Sequence, residues 1–264
     1  MFYTSNTFVA YNFPLKEAGM IFLGIPFAGT STSKPAIYGP IMVRESLKLM
    51  EDYVDGKNIF EKLKVCDLGD LEIVPGSYEL TSVRIKQTIE DIKDENKDAF
   101  LIFIGGEHLV TLPIVEALKP KTIVHLDAHS DSRSEYLGNK YMHQTWAHHA
   151  AAAAKIIQIG VTTWNREEKE NLDKNNIDFY ETDDFLKKDL KLVEPVHLTI
   201  DIDVLEGTAT GLPEGRLSMD TLLKILNKIQ CDSLDIVEIA DDKLPSKTGF
   251  MAAHIIKDVL SKLA

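Results

Sequence analysis

Three short segments of this chain concentrate side chains that hold divalent metals. The densest is Val124-His125-Leu126-Asp127-Ala128-His129-Ser130-Asp131, in which Asp127, His129 and Asp131 recur at every second residue. While the backbone stays extended, alternate side chains point the same way, so the three converge on one point. Asp201 and Asp203 repeat that spacing in Leu198-Thr199-Ile200-Asp201-Ile202-Asp203. Two carboxylates sharing a face repel each other and lose hydration, a cost that a cation or a shared proton relieves. The third segment is Gly105-Gly106-Glu107-His108, where glycines permit a tight turn and His108 follows it. Taken singly, these are also what a polar strand exit, a turn-capping aspartate pair and a surface histidine look like. Together, directly after apolar runs, they read as a metal site. Carboxylates mixed with imidazoles suit manganese, with zinc as a competitor, and the lack of nearby Cys argues against a structural zinc. Six ligands with four carboxylates exceed what one ion takes. Two ions bridged by Asp, sharing a water or hydroxide that attacks a substrate, are the natural solution.

The elements that must position these residues follow from the hydrophobic pattern. Apolar runs at Met20–Pro26, Lys64–Asp67, Phe100–Ile104, Thr122–Leu126, Ile156–Val161, Ile177–Tyr180, Val196–Ile200 and Leu234–Ile239 predict strands. Helical patterns lie between them at Thr81–Glu95, Val110–Leu118, Thr145–Ala154, Arg166–Asn175, Met219–Ile229 and Phe250–Leu263. This alternation predicts an α/β fold: three layers, α/β/α, around a central, mostly parallel sheet of about eight strands. Runs such as Leu101-Ile102-Phe103-Ile104 suit strands buried on both faces. No Pro-, Gly- or Ser-rich linker, repeat or low-complexity segment divides residues 1–264, so one domain is expected. In open α/β sheets, ligands bind beyond the carboxyl ends of the strands, which is where the three segments fall.

The net charge of −12, from 41 acidic and 29 basic residues, argues against a nucleic-acid partner. Part of that charge is what a site for two divalent cations would carry. Cys66 and Cys231 are far apart and read as buried thiols in a reducing compartment. Met1–Ala10 lacks the pattern of a signal peptide, and no apolar run approaches the ~20 residues of a membrane helix. A cytoplasmic protein with no membrane partner is expected.

In this order the motifs are specific, and they resemble the ureohydrolase family of arginase, agmatinase and formimidoylglutamase across nearly the whole chain. The resemblance runs from Leu23-Gly24-Ile25-Pro26-Phe27 through Gly39-Pro40, Arg44-Glu45, the Gly-Gly-Glu-His turn, Asp-Ala-His-Ser-Asp and Asp201-Ile202-Asp203 to Asp235-Ile236-Val237-Glu238. Arg133–Lys140 followed by His143 looks most like microbial agmatinases. The resemblance implies two Mn2+ per chain, one held by His108, Asp127, Asp131 and Asp201, the other by Asp127, His129, Asp201 and Asp203. It implies that a metal-bridging hydroxide, held by Asp131, attacks the guanidinium carbon of a linear guanidino compound, agmatine first. The products would be urea and an amine, a step of polyamine biosynthesis. His143 matches the histidine that passes protons to the leaving amine, where a helix-start histidine is the plain alternative and the reading given to His148 and His149. Glu238 matches the carboxylate that pairs with the substrate guanidinium, as two parallel hydrogen bonds allow. A homo-oligomer, trimeric or hexameric, is implied as well.

The chain departs from the family pattern at four places. Glu107 replaces the usual Asp beside the turn histidine and is expected to serve as an outer partner of the ligands. The segment after Asp203, Glu206–Arg216, is short and lacks the usual Gly-Gly. Gly160-Val161-Thr162 replaces Gly-Ile-Arg, and Ala240-Asp241-Asp242 follow Glu238 where Pro is common. These changes surround the pocket, so arginine, guanidinobutyrate or formimidoylglutamate stand as alternative substrates. A metal-binding protein without catalysis is the alternative of another class.

Overall fold

A computed structural model describes residues 12–32, 34–54, 56–212 and 215–264. The expectation about a signal peptide at Met1–Ala10 lies outside them, as do Pro213 and Glu214 of the loop after Asp203. Among the described residues, no helix is long and apolar enough to cross a membrane.

In chain order the elements begin with β1 (Met20–Ile25), α1 (Gly39–Lys48), the small hairpin β2 (Tyr53–Val54) and β3 (Lys57–Asn58), α2 (Ile59–Lys62) and β4 (Val65–Asp70). They continue with α3 (Tyr78–Glu95), β5 (Phe100–Gly105), α4 (Thr111–Leu118), β6 (Thr122–Leu126), α5 (Trp146–Ala150), β7 (Lys155–Ile159), α6 (Arg166–Lys174) and β8 (Ile177–Tyr180). Last come α7 (Thr182–Lys187), β9 (Val196–Asp201), α8 (Met219–Leu226), β10 (Ser233–Val237) and α9 (Lys247–Leu263).

Eight strands form one sheet in the order β4-β1-β5-β10-β9-β6-β7-β8. Every pairing in it is parallel. Successive residues of β1 feed opposite layers: Met20 and Phe22 pack with α1, α8 and α9, whereas Ile21 and Leu23 pack with α3, α4 and α5. Burial on both faces explains why β1 and β5 are apolar throughout rather than alternating. The expected three layers are therefore present, with each strand prediction matched to within a few residues.

Helix starts are set by short polar side chains that satisfy otherwise unpaired backbone N–H groups. Ser77 accepts from Leu80 N, Ser218 from Thr221 N and Ser246 from Gly249 N. α1 escaped the sequence reading because Gly39-Pro40 looks like a turn. Proline in a first turn is compatible with a helix, since its missing N–H has no intrahelical partner there anyway. Cys66 is buried as expected, but Cys231 is only half-buried.

The topology creates one gap that later strands fill. β5 and β6 are consecutive in the sheet's chain order yet are separated by β9 and β10. Register keeps the four carboxyl ends nearly level: Ile104 lies beside Ile236, Val237 beside Asp201, and Leu126 beside Ile200. Residues just past those four ends are thereby gathered on one edge.

Candidate metal centre

The structure brings together all six residues named as ligands. His108 opens a 3-10 turn after β5, and its Nδ1 lies 3.1 Å from Asp127 Oδ2, 3.3 Å from Asp131 Oδ2 and 3.5 Å from Asp201 Oδ2. His129 Nδ1 lies 2.9 Å from Asp203 Oδ2 and 3.5 Å from Asp127 Oδ1. Convergence has a different cause from the extended pleat expected from the spacing. β6 stops at Leu126, the chain bends at Ala128–His129, and Asp131 has φ of 50°. Asp203 likewise sits in a 3-10 turn, where its N–H donates to Asp201 Oδ1 at 2.8 Å.

The tautomer of His108 follows from its neighbours. Thr199 Oγ1 gives its single proton to Asp235 Oδ1 at 2.6 Å, so it can only accept from His108 Nε2 at 3.0 Å. Asp235 is held in turn by Thr111 and His197, both buried. With one ring proton on Nε2, Nδ1 faces three carboxylate oxygens and can meet them only by taking a second proton or through a bound cation. Acceptors facing acceptors in a buried site call for a cation between them, and the donor set of imidazole and carboxylate suits a hard or borderline divalent ion.

The electrostatics carry the same signature. Burial pulls His108 down, but Asp127, Asp131 and Asp201 outweigh it and hold the imidazole well above its ordinary value. His129, also drawn down by burial, is pushed up to about 12 by Asp127 and Asp203. Burial and then the neighbouring carboxylates push Asp201 well up and raise Asp203 to about 7. Each group holds or seeks a proton where a metal would supply the positive charge.

Residues that the sequence reading passed over orient this cluster. His125, inside β6, donates from Nε2 to Asp127 Oδ2 at 2.8 Å and accepts at Nδ1 from Gln158 at 3.0 Å. Both ring nitrogens are engaged, so His125 aims Asp127 although its atoms cluster with His108 and Asp127 as a potential ligand set. Trp146, fully buried, donates from Nε1 to Asp131 Oδ2 at 3.1 Å. The available clue was polarity inside apolar strands: His125, His197, Thr199 and Asp235 interrupt runs that are otherwise core.

Glu238 lies one residue beyond β10, not on it, with φ of 64°. Its N–H donates to Gly106 O, and its Oε1 accepts from His108 N at 2.9 Å. Burial, with Glu107 nearby, raises its carboxyl to about 8. Gly106 itself is indispensable to the turn: a Cβ there would stand 2.1 Å from Phe27 O. Glu107 departs from the expected role, for its carboxylate reaches Thr30 and not a ligand.

A cavity of about 330 Å3 opens over the cluster, with His129, Asp131, Asp201, Asp203, His143 and Glu238 among its walls. His143 is depressed by burial, the largest influence on it, and its Nδ1 makes no hydrogen bond. His148 and His149 lie off the cavity, His149 donating to Lys140 O at 2.8 Å. Thr210, Gly211 and Leu212 of the divergent segment after Asp203 reach the cavity, as does Arg133. Trp164 and Glu168, unnoticed in the sequence, join them.

A parallel eight-stranded sheet with this acid–histidine cluster at its carboxyl edge defines a metallohydrolase of the arginase-like fold. Agmatine ureohydrolase of Thermoplasma volcanium superposes with a TM-score of 0.83 at 27% identity, over 94% of this chain and 90% of that one. The N(1)-aminopropylagmatine ureohydrolase of Thermococcus kodakarensis is 34% identical over 96% of this chain and 94% of its own length. The agmatinase of Pyrococcus horikoshii is 32% identical over 95% and 94%. The arginase family model matches residues 18–261, and the chain belongs to that family of metal-dependent hydrolases.

Proposed function

We propose that residues 1–264 act as one cytoplasmic ureohydrolase domain, in a homo-oligomer, that hydrolyses agmatine to urea and 1,4-diaminobutane. The observation that carries the reading is His108 Nδ1 turned toward Asp127, Asp131 and Asp201, the last two of which line the cavity. His108, Asp127, Asp131 and Asp201 would hold one Mn2+, and Asp127, His129, Asp201 and Asp203 the other. Two such ions supply Lewis-acid chemistry, lowering the pKa of water and stabilising negative charge at the reacting carbon.

The protein's own groups do the rest. Glu238, fixed through His108 N, offers a carboxylate to the planar guanidinium and sets its carbon over the floor. Asp131, anchored by Trp146, holds the attacking water by a hydrogen bond. As the new C–O bond forms and the bond from carbon to the tail nitrogen breaks, that nitrogen needs a proton. His143, neutral because burial depresses it, is suited to carry a proton from the attacking water to the leaving amine.

An amine tail is favoured over a carboxylate by Glu168. It is nearly buried in the cavity wall beside Trp164, where its Oε2 accepts from Asn165 N at 2.9 Å and its Oε1 is left to meet charged groups at the wall. Its Oε1 lies 3.6 Å from Arg133 Nε. A longer, aminopropyl-bearing tail is the second reading, favoured by the relative from Thermococcus. Urea release from agmatine, aminopropylagmatine, arginine and guanidinobutyrate, with manganese added, tests both. No urea from any of them would leave a metal-binding protein without this activity.

A further inference from the structure

The glutamate that replaces aspartate in the glycine turn has a job of its own. We propose that Glu107 is a positioning residue for His143, acting through the hydroxyl of Thr30. The proposal rests on His143 being the proton carrier.

Glu107 is fully buried, and both carboxylate oxygens are taken up by Thr30. Oε2 accepts from Thr30 N at 2.8 Å, and Oε1 accepts from Thr30 Oγ1 at 2.7 Å. A threonine hydroxyl has one proton, and here it goes to Glu107. The oxygen can then only accept, and it accepts from the backbone N–H of His143 at 3.1 Å. The order carboxylate, hydroxyl, backbone N–H is thus fixed in direction along its whole length. Residues far apart in the chain, 30, 107 and 143, meet in it.

His143 begins a 3-10 turn of three residues, His143–Thr145, whose far end is closed by Thr145 onto Met142 O, whereas its near end, the N–H of His143, goes to Thr30. Its Nδ1 makes no hydrogen bond, so that nitrogen is not what pins the ring. The ring also meets the Thr30 backbone, so Thr30 holds both the backbone and the imidazole of His143. The same latch ties the loop after β1 to the glycine turn, because Glu107 N donates to Phe27 O at 2.8 Å. A carboxylate one methylene shorter would fall short of Thr30 by about 1.5 Å at the same backbone position. The longer side chain is therefore what lets the turn that carries His108 also place His143.

The test is a double-mutant cycle on the manganese-loaded, full-length protein, read as kcat and KM for agmatine and as bound manganese. Thr30→Val keeps the shape of the side chain and removes the acceptor. It should lower kcat roughly ten- to a hundredfold, the scale of a displacement near 1 Å, with KM and manganese content unchanged. Thr30→Ser, which retains the hydroxyl, should restore most of the rate, and Glu107→Gln should behave like Thr30→Val. In a His143→Ala background neither change should lower kcat further, since no imidazole remains to be placed. Losses that multiply undiminished in that background would overturn the positioning role while leaving His143 as proton carrier. An unchanged kcat in His143→Ala alone would overturn the role of His143 and this inference with it. Should Glu107→Gln fail to fold, the two Thr30 variants decide the matter.

Discussion

The backbone N–H of His108 donates to Glu238 Oε1 at 2.9 Å, across 130 residues of sequence. The same residue turns its imidazole to Asp127, Asp131 and Asp201, so the group proposed to receive the guanidinium and the floor beneath it share one rigid turn. Their spacing is set by the register of β5 against β10 and not by any mobile loop.

Glu238→Asp should therefore slow every guanidino substrate alike. The backbone at 238 has positive φ, which Asp tolerates better than most residues, so the change shortens the carboxylate without straining the chain. A displacement near 1 Å costs on the order of a hundredfold in kcat/KM. The measurement is steady-state kinetics on agmatine, arginine and guanidinobutyrate. A reordering of the three substrates, with the best one unaffected, would show that Glu238 reads the tail and not the guanidinium.

Asp201→Ala should remove both metals, because the proposed arrangement has Asp201 bridging them. Its carboxylate also accepts from Asp203 N, so the substitution frees the 3-10 turn that carries Asp203. Elemental analysis after dialysis should find far fewer than the ~2 manganese ions per chain of the unaltered protein. Full occupancy in the variant would remove Asp201 from the ligand set.

What could be read in the sequence divides along physical lines. Strands such as Met20–Ile25 and Phe100–Gly105 announce themselves because burial on both faces demands unbroken apolar side chains. The ligand candidates stand out because acids and histidines directly after such strands have no packing reason to be there. The sequence spacing misled only about mechanism: Asp127, His129 and Asp131 converge through a bend and a left-handed residue, which no period-two pattern encodes. Glu107, Thr30 and Thr199 were illegible because their roles arise from contacts between distant segments. Trp164 and Glu168 were hidden likewise, since α6 reads as an ordinary charged surface helix until β7 and β8 place its first turn against the cavity.

Asp67→Ala should destabilise the protein without touching the metal cluster. Arg44 is fully buried and binds Asp67 through Nε at 2.9 Å and Nη2 at 3.0 Å, with Asp70 and Gly69 O completing its partners. Burial opposes the guanidinium charge, yet Asp67 and Asp70 more than offset it and keep Arg44 above its ordinary value. Removing Asp67 leaves a buried cation short of its main partner, which typically costs about 3–5 kcal/mol. Chemical denaturation should show that loss, and manganese content of the folded fraction should not change. A loss below about 1 kcal/mol would mean that water reaches Arg44.

Glu168→Gln should change which tail the enzyme prefers. Asn165 and Glu168 form a reciprocal cap at the start of α6, and Gln can make the same pair of hydrogen bonds, so the helix should survive. What disappears is the negative charge that faces the cavity beside Trp164. A hydrogen bond to a charged group is worth about 1.5–3 kcal/mol, so kcat/KM for agmatine should fall roughly ten- to a hundredfold. 1-Guanidinobutane, with a methyl in place of the terminal amine, should be hydrolysed equally by both proteins. The pH dependence gives an independent reading. Burial, aided by the charge of Asp131, holds Glu168 above the ordinary glutamate value of 4.5. The carboxylate form is the one that binds an ammonium, so the preference for agmatine should be complete at high pH and fade as pH falls. The fading should begin at a higher pH than an exposed glutamate would give. In Glu168→Gln the ratio of the two substrates should be flat across the same range. If both substrates lose rate equally, or if the ratio ignores pH in the unaltered protein, Glu168 is not the tail acceptor. Should guanidinobutyrate instead prove the best substrate, Arg133, 3.6 Å away, becomes the group that reads the tail.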